Sequence, residues 1–211
     1  MITLQIDDHK IQVAAGTNLL AACLDNGVYI PNLCYLSGMP HPPTSCRLCF
    51  VEIEGTDHPV CACSISVDRQ MAVRTDTPRV RQLQKTGLRL LLSVHEVECK
   101  NCLANRRCPL QDMAGFLHVA LKNKDFELLL NDTRVDASHP FWDHYPNRCV
   151  LCGKCVHVCR QQQHRVGLTF ARRGIGTVIG FYDRPQSKSP PCENCQACVD
   201  VCPVAALVPK G

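Results

Sequence analysis

Apolar and polar residues alternate from the start of the chain, where Ile2, Leu4 and Ile6 are separated by polar neighbours and Ile11 and Val13 resume the pattern after Asp7, Asp8 and His9. This period of two predicts strands over 2–6 and 10–13, joined as a hairpin with one buried face. At Gly16 and Thr17 the period changes. Leu19, Leu20, Cys23 and Leu24 recur at helical spacing, which predicts a helix capped by Thr17 and stopped at Gly27. A leucine-rich helical pattern runs from Val80 to Val97, with Leu83, Leu88, Leu90, Leu91 and Leu92 on or near one face, so that the helix delivers His95. Weaker helical periodicity covers 114–130, and the polar, proline-bearing run from Asn131 to Asn147 reads as loop. Residues 166–183 alternate on either side of a glycine-containing turn and predict a second hairpin. An α+β chain is expected.

Composition makes the expected core thin, because only 5% of the residues are aromatic while 17 of the 211 are cysteine. Small modules of this kind depend on bound metal for part of their folding energy. The start MITLQIDDHK has no basic head followed by an apolar stretch, so no signal peptide is expected. Most cysteines fall in C-x-x-C groups and their number is odd, which favours metal ligation over disulfides and implies a reducing, cytoplasmic setting. No apolar run approaches the roughly 20 residues of a membrane span. The net charge of +4 is dispersed apart from Arg106-Arg107 and Arg172-Arg173, so no nucleic-acid partner is expected. A mildly basic chain offsets the negative charge of thiolate-ligated metal.

The strongest chemical signal lies between Cys149 and Cys202, where C-x2-C-x2-C-x3-C occurs twice. In the bacterial two-cluster ferredoxin pattern the fourth cysteine of each run ligates the other cluster. Cys149, Cys152, Cys155 and Cys202 are therefore expected to hold one [4Fe–4S] cluster, and Cys159, Cys192, Cys195 and Cys198 a second. Cys202 precedes Pro203 as the pattern has it, whereas Cys159 precedes Arg160.

Two further groups precede the tail. After the first hairpin and helix, in the order of a β-grasp ferredoxin domain, come Cys34, Cys46 and Cys49, then either Cys61 or Cys63. Four thiolates suit a [2Fe–2S] cluster, although the gap between Cys34 and Cys46 is longer than in the plant-type pattern. The remaining cysteine of the 61/63 pair and Cys23 read as small buried apolar residues. The second group, H-x3-C-x2-C-x5-C, comprises His95, Cys99, Cys102 and Cys108. Three cysteines and a histidine fit structural zinc. The surrounding ferredoxin patterns favour a cluster instead. Neither His118, His139 nor His144 has ligand spacing to another candidate, and all three read as structural, as does Trp142.

The run IPNLCYLSGMPHPPTSCRLCFVEIEG followed by ACSISVDRQMAV resembles the N-terminal [2Fe–2S] module of the large iron–sulfur subunit of respiratory complex I and of related NAD-linked hydrogenases. In that family the last ligand follows alanine and stands eight residues before methionine, a setting matched by Cys63 between Ala62 and Met71. The resemblance therefore implies Cys34, Cys46, Cys49 and Cys63. It also covers the His95 group, which ends in C-x-L-Q at Cys108, Leu110 and Gln111, and implies a third [4Fe–4S] cluster there. A glycine common in the family near position 107 is absent here. With imidazole in place of one thiolate that cluster would carry one negative charge less, which raises its potential.

The expected divisions are a β-grasp [2Fe–2S] domain over 1–78, a helical segment with one histidine and three cysteine ligands over 79–118, a linker over 119–140 and a two-[4Fe–4S] ferredoxin domain over 141–211. One [2Fe–2S] and three [4Fe–4S] clusters would occupy all the cysteines except Cys23 and Cys61. No dinucleotide fingerprint, phosphate loop or nucleophile motif is present, so no flavin, NAD or nickel and no catalytic residue is expected in this chain. The four sites, with an end nine residues after Cys202, most resemble the small diaphorase subunit of cytoplasmic NAD-reducing [NiFe] hydrogenase. That resemblance implies a soluble electron relay between a flavin- and NAD-binding subunit and the hydrogenase small and large subunits. The competing expectations are the same relay in a complex I-like, formate dehydrogenase or electron-bifurcating assembly, and a zinc-bearing scaffold.

Overall fold

The structure, a computed structural model, describes residues 1–122, 127–163, 167–181, 192 and 195–210. These form two compact units, Met1–Leu90 with Met113–Val119, and Leu91–Asp112 with Ala120 onward.

In the first unit β1 (Ile2–Ile6) and β2 (His9–Val13) form the expected hairpin, Ile2 opposite Val13 and Ile6 opposite His9. β1 also pairs in parallel with β5 (Met71–Arg74), and β3 (Phe50–Ile53) and β4 (Val60–Cys61) extend the sheet to the order β2-β1-β5-β3-β4. Across it lies α1 (Leu19–Asp25), which buries Leu19, Leu20, Ala22 and Cys23 among Leu4, Ile6, Val51 and Val73. Each buried leucine contributes about 1.5–3 kcal/mol. The cap of α1 is Asn18, not Thr17: Asn18 Oδ1 accepts from the Leu20 and Ala21 amides, whereas the Thr17 hydroxyl donates to the Ala14 carbonyl. The Asn18 amide group also donates to the Cys63 carbonyl at 2.7 Å, so one residue starts the helix and holds the cysteine loop.

The leucine-rich helix, α2, spans Pro78–Ser93, two residues earlier at its start and four at its end than its pattern suggested. Thr77 Oγ1 accepts from the Val80 amide at its N-terminus, and Pro78 suits the first helical position. The buried face is Val80, Gln84, Leu88 and Leu92, each four residues on, while Leu90 is 55% exposed on another side. Gln84 is buried because its amide donates to the Phe50 carbonyl. His95 thus stands in the turn after the helix.

Where residues 114–130 suggested a weak helix, α3 (Pro109–Leu117) starts earlier and stops at His118, whose φ is 52°. Residues 123–126 of that stretch lie outside the described residues. In the second unit the run read as loop contains β6 (Trp142–His144), antiparallel to β9 (Leu207–Pro209) with His144 opposite Leu207. β7 (Leu168–Ala171) and β8 (Val178–Phe181) form the expected second hairpin; Val166, Tyr182 and Asp183, also assigned to it, are outside the described residues. α4 (Lys154–Gln163) and α5 (Ala197–Asp200) carry tail cysteines. The unit's core contains Trp142, Val156, Leu168, Ile179 and Leu207 together with Cys155, Cys159 and Cys198. Among the described residues no helix is long and apolar enough to cross a membrane.

Candidate metal centres

In the first unit Cys34, Cys46, Cys49, Cys61 and Cys63 are all buried. The Cys34 and Cys46 sulfurs are 3.3 Å apart. Cys63 is in hydrogen-bonding contact with both Cys34 and Cys49, so the four sulfurs run in the order Cys46, Cys34, Cys63, Cys49. Cys61 touches Cys49 alone of these and lies 3.6 Å from Arg47 Nη1. The two contenders for fourth ligand therefore differ in place: Cys63 bridges Cys34 and Cys49, whereas Cys61 touches Cys49 and a guanidinium. The loop carrying Cys46 and Cys49 turns at Arg47, φ 53°, and its backbone packs on α2 at Gly87, where a Cβ would lie 2.5 Å from the Arg47 carbonyl oxygen. Cys23 sits in the apolar core, and burial followed by the Asp7 charge pushes its thiol up to about 12.

The second unit brings His95, Cys99, Cys102 and Cys108 around one cavity, lined also by Gln111 and Val204. A short 3-10 turn carries Cys99, and Cys108 immediately precedes α3. Gln111 accepts from the Arg106 amide and donates to Asn105 Oδ1, closing the loop from which Cys102 and Cys108 project. The left-handed residue of this loop is Arg106, φ 66°, a conformation that glycine would adopt with less strain. His95 Nδ1 lies 2.9 Å from the Arg148 carbonyl. A carbonyl only accepts, so Nδ1 carries the proton and Nε2 presents its lone pair. Burial lowers the His95 pKa and keeps the imidazole neutral, the form that ligates metal.

Of the tail cysteines, Cys149, Cys152, Cys155 and Cys202 line a single cavity. The Cys198 thiol is raised to about 12, by burial and then by the thiols of Cys159, Cys192 and Cys195. α4 supplies Cys155 to the first quartet and, one turn on, Cys159 to the second. Gly167 permits the close approach to Cys159, since a Cβ there would lie 3.0 Å from the sulfur. The Ala206 amide donates to Cys202 Sγ at 3.2 Å. His144, which its spacing marked as structural, also lines the first cavity. Glu193 and Asn194, within the second run, lie outside the described residues.

The donor chemistry suits iron–sulfur ligation. No disulfide joins any of the 17 cysteines. Burial pushes the Cys149 thiol up to about 12 and the Cys155 thiol higher, and pairing with Cys34 brings Cys63 to about 12. Thiols held in such dry clusters become thiolates when a metal supplies the compensating positive charge.

A 2Fe-2S iron–sulfur cluster binding domain family matches residues 1–78, and a 4Fe-4S dicluster domain family matches residues 144–206. The G 2 subunit of NADH-quinone oxidoreductase from Rhizobium meliloti is 34% identical over 99% of this chain and 24% of its own length. The NADPH-Fe(3+) oxidoreductase subunit alpha of Geobacter sulfurreducens is 33% identical over 100% of this chain and 24% of itself. NADP-reducing hydrogenase subunit HndD of Solidesulfovibrio fructosivorans is 30% identical over 99% of this chain and 36% of itself. The chain thus spans about a quarter to a third of these relatives. A chain in the crystal structure of an NAD+-reducing [NiFe]-hydrogenase in the H2-reduced state superposes with a TM-score of 0.84 at 28% identity, over 100% of this chain and 88% of that one.

Proposed function

We propose that the chain, similar in sequence and structure to iron–sulfur subunits of NAD-reducing [NiFe] hydrogenase and complex I-like oxidoreductases, is an electron-transfer subunit that relays electrons between a hydrogenase module and a flavin- and NAD-binding partner. This reading is supported by the alignment of the chain along its whole length with one from such a hydrogenase, and by the candidate ligands that line shared cavities in the second unit. Cys34, Cys46, Cys49 and Cys63 would hold a [2Fe–2S] cluster. His95 through Nε2, with Cys99, Cys102 and Cys108, would hold one [4Fe–4S] cluster. Cys149, Cys152, Cys155 and Cys202 would hold a second, and Cys159, Cys192, Cys195 and Cys198 a third. Such clusters supply reversible one-electron transfer; the protein's part is to seat them, exclude water and set their potentials through charge and hydrogen bonds to sulfur. The partners are the flavin/NAD subunit and the hydrogenase small and large subunits, and the compartment is the cytoplasm.

Isolation of the complex from its native cell tests the assembly, with iron, acid-labile sulfide, flavin and nickel expected together. Molybdenum in place of nickel would instead mark a formate dehydrogenase, and neither metal a complex I-like assembly, the reading favoured by the identity with the NADH-quinone oxidoreductase chain of Rhizobium meliloti. Zinc without iron or sulfide would refute the relay. The crossed tail assignment has its own check. Cys202→Ala should abolish the cluster of Cys149, Cys152 and Cys155 while the second quartet keeps its spectrum, and the reverse pattern would overturn it.

A further inference from the structure

His144 ends β6 with its backbone fixed on two sides. It stands opposite Leu207 of β9, and its amide donates to the Asp136 carbonyl at 2.9 Å while its own carbonyl accepts from Asp136 at 2.7 Å. The residue is 2% exposed, and its Nε2 has no hydrogen-bond partner among the described residues. Such a buried polar atom costs about 1–3 kcal/mol unless something pairs with it. His144 lines the cavity bordered by Cys149, Cys152, Cys155 and Cys202, whose other side chains are aliphatic. Among the described residues of this wall, sulfur is the only side-chain acceptor. A second cavity bordered by His144 is walled by Val94, Leu129, Leu151 and Ile175 together with Asn131 and Thr177, neither of which hydrogen-bonds Nε2, and contains only Cys149 of the four thiols. The same wall already directs one N–H at sulfur, from Ala206 to Cys202, and Ala206 adjoins the strand partner of His144.

We propose that the Nε2–H of His144 donates a hydrogen bond to sulfur of the [4Fe–4S] cluster held by Cys149, Cys152, Cys155 and Cys202, and so raises that cluster's reduction potential. This rests on the ligand assignment proposed above. The added electron makes the cluster more negative by one charge, so a fixed N–H donor stabilises the reduced state more than the oxidised one. β6 holds the imidazole in place, and burial keeps water from substituting for it. His144 is then a positioning and tuning residue, not a ligand.

The full chain, loaded anaerobically with iron and sulfide, is titrated by EPR-monitored reduction as wild type, His144→Leu and His144→Gln. In His144→Leu the oxidised-to-reduced ratio of one [4Fe–4S] signal should rise about tenfold at fixed potential, a fall in midpoint of about 59 mV. His144→Gln keeps an N–H donor and should recover part of the shift, with the other cluster signals unmoved. Wild type carrying 15N-histidine should show nitrogen and exchangeable-proton couplings at the same reduced cluster. An unchanged midpoint in a fully loaded His144→Leu chain, or absence of those couplings in wild type, overturns the proposal. If His144→Leu does not load, the wild-type couplings decide alone. A wild-type tail that binds no [4Fe–4S] cluster would refute the ligand assignment itself, a result distinct from loaded clusters that ignore residue 144.

Discussion

The two units reach their metal-binding residues by different physical routes. In the first, Leu4, Ile6, Leu19, Leu20, Val51, Val67 and Val73 form a mostly aliphatic core between sheet and helix, in which Cys49 and Cys63 are two buried members among fifteen. In the second, the core cluster among the described residues has eight buried members, and three of them, Cys155, Cys159 and Cys198, are themselves candidate ligands. Apolar burial can therefore fix the first site's loop before any metal arrives. The second unit needs ligation to complete the core it has, so there metal affinity and folding energy are the same quantity. The comparison teaches that one chain can contain a site built on a fold and a fold built around its sites.

Removal of iron should break the symmetry most strongly. After anaerobic chelation, backbone amides of β6, α4 and β9 are expected to exchange hydrogen at rates near those of an unfolded chain, while β1 and β5 stay protected. Hydrogen-exchange mass spectrometry reads both units in one sample. Equal loss of protection would mean that the first core is as metal-dependent as the second.

Within the first unit, substitution of single thiols separates ligand from neighbour. Cys63→Ser should remove the [2Fe–2S] absorption and EPR signal, because Cys63 faces Cys34 and Cys49. Cys61→Ser should leave the signal in place, because Cys61 faces Arg47 and touches only one other candidate ligand. The opposite outcome would exchange their roles.

At the His95 site the test is one of charge. His95→Cys adds a thiolate and should lower the potential of that cluster by roughly 100–350 mV, about half the rise that two histidines give Rieske centres over plant-type ferredoxins. A midpoint that stayed level or rose would show that the surroundings, rather than ligand charge, set its value.

How much of this was legible beforehand follows from the range of each signal. The first hairpin was readable because alternation is local, and Ile2, Leu4 and Ile6 needed no partner to reveal it. Cysteine spacing likewise displayed the candidate ligands, although it could not separate Cys61 from Cys63 by itself; their difference lies in contacts with Cys34 and Arg47. β6 was missed because three residues, Trp142 to His144, are too few to show a period and are ordered by a partner more than sixty positions away, β9. Asn18 was passed over for Thr17 because both are good capping residues, and the choice depends on which side chain also reaches Cys63. The role of the Gly87 position was hidden for the same reason, since only the tertiary fold places Arg47 against it.

Gly87→Ala sharpens the claim that packing fixes the first site. The added Cβ would meet the Arg47 carbonyl oxygen at 2.5 Å and the Cys46 carbonyl oxygen at 3.5 Å, and backbone cannot rotate away as a side chain can. Either α2 or the ligand loop must shift, with an expected loss of about 1–3 kcal/mol in denaturant unfolding. Broadening of the [2Fe–2S] EPR signal should accompany it. Lost stability with an unaltered signal would mean that the helix yields and the loop does not.

The smallest effect belongs to Asn18, and it tests the same idea with two functions in one side chain. Asn18→Ala removes the cap of α1 and the bond to the Cys63 carbonyl, for about 1–2 kcal/mol. Asn18→Asp keeps an oxygen for the Leu20 and Ala21 amides and favours the positive end of α1, but it loses the N–H donor and places a carboxylate against the Cys63 carbonyl. If the loop around Cys63 is held from the helix, the aspartate should preserve most of the helix stability yet perturb the [2Fe–2S] signal as much as alanine does. If instead the aspartate chain is spectroscopically normal, the cap matters and the anchor does not, and the four thiols are held by the sheet and α2 alone.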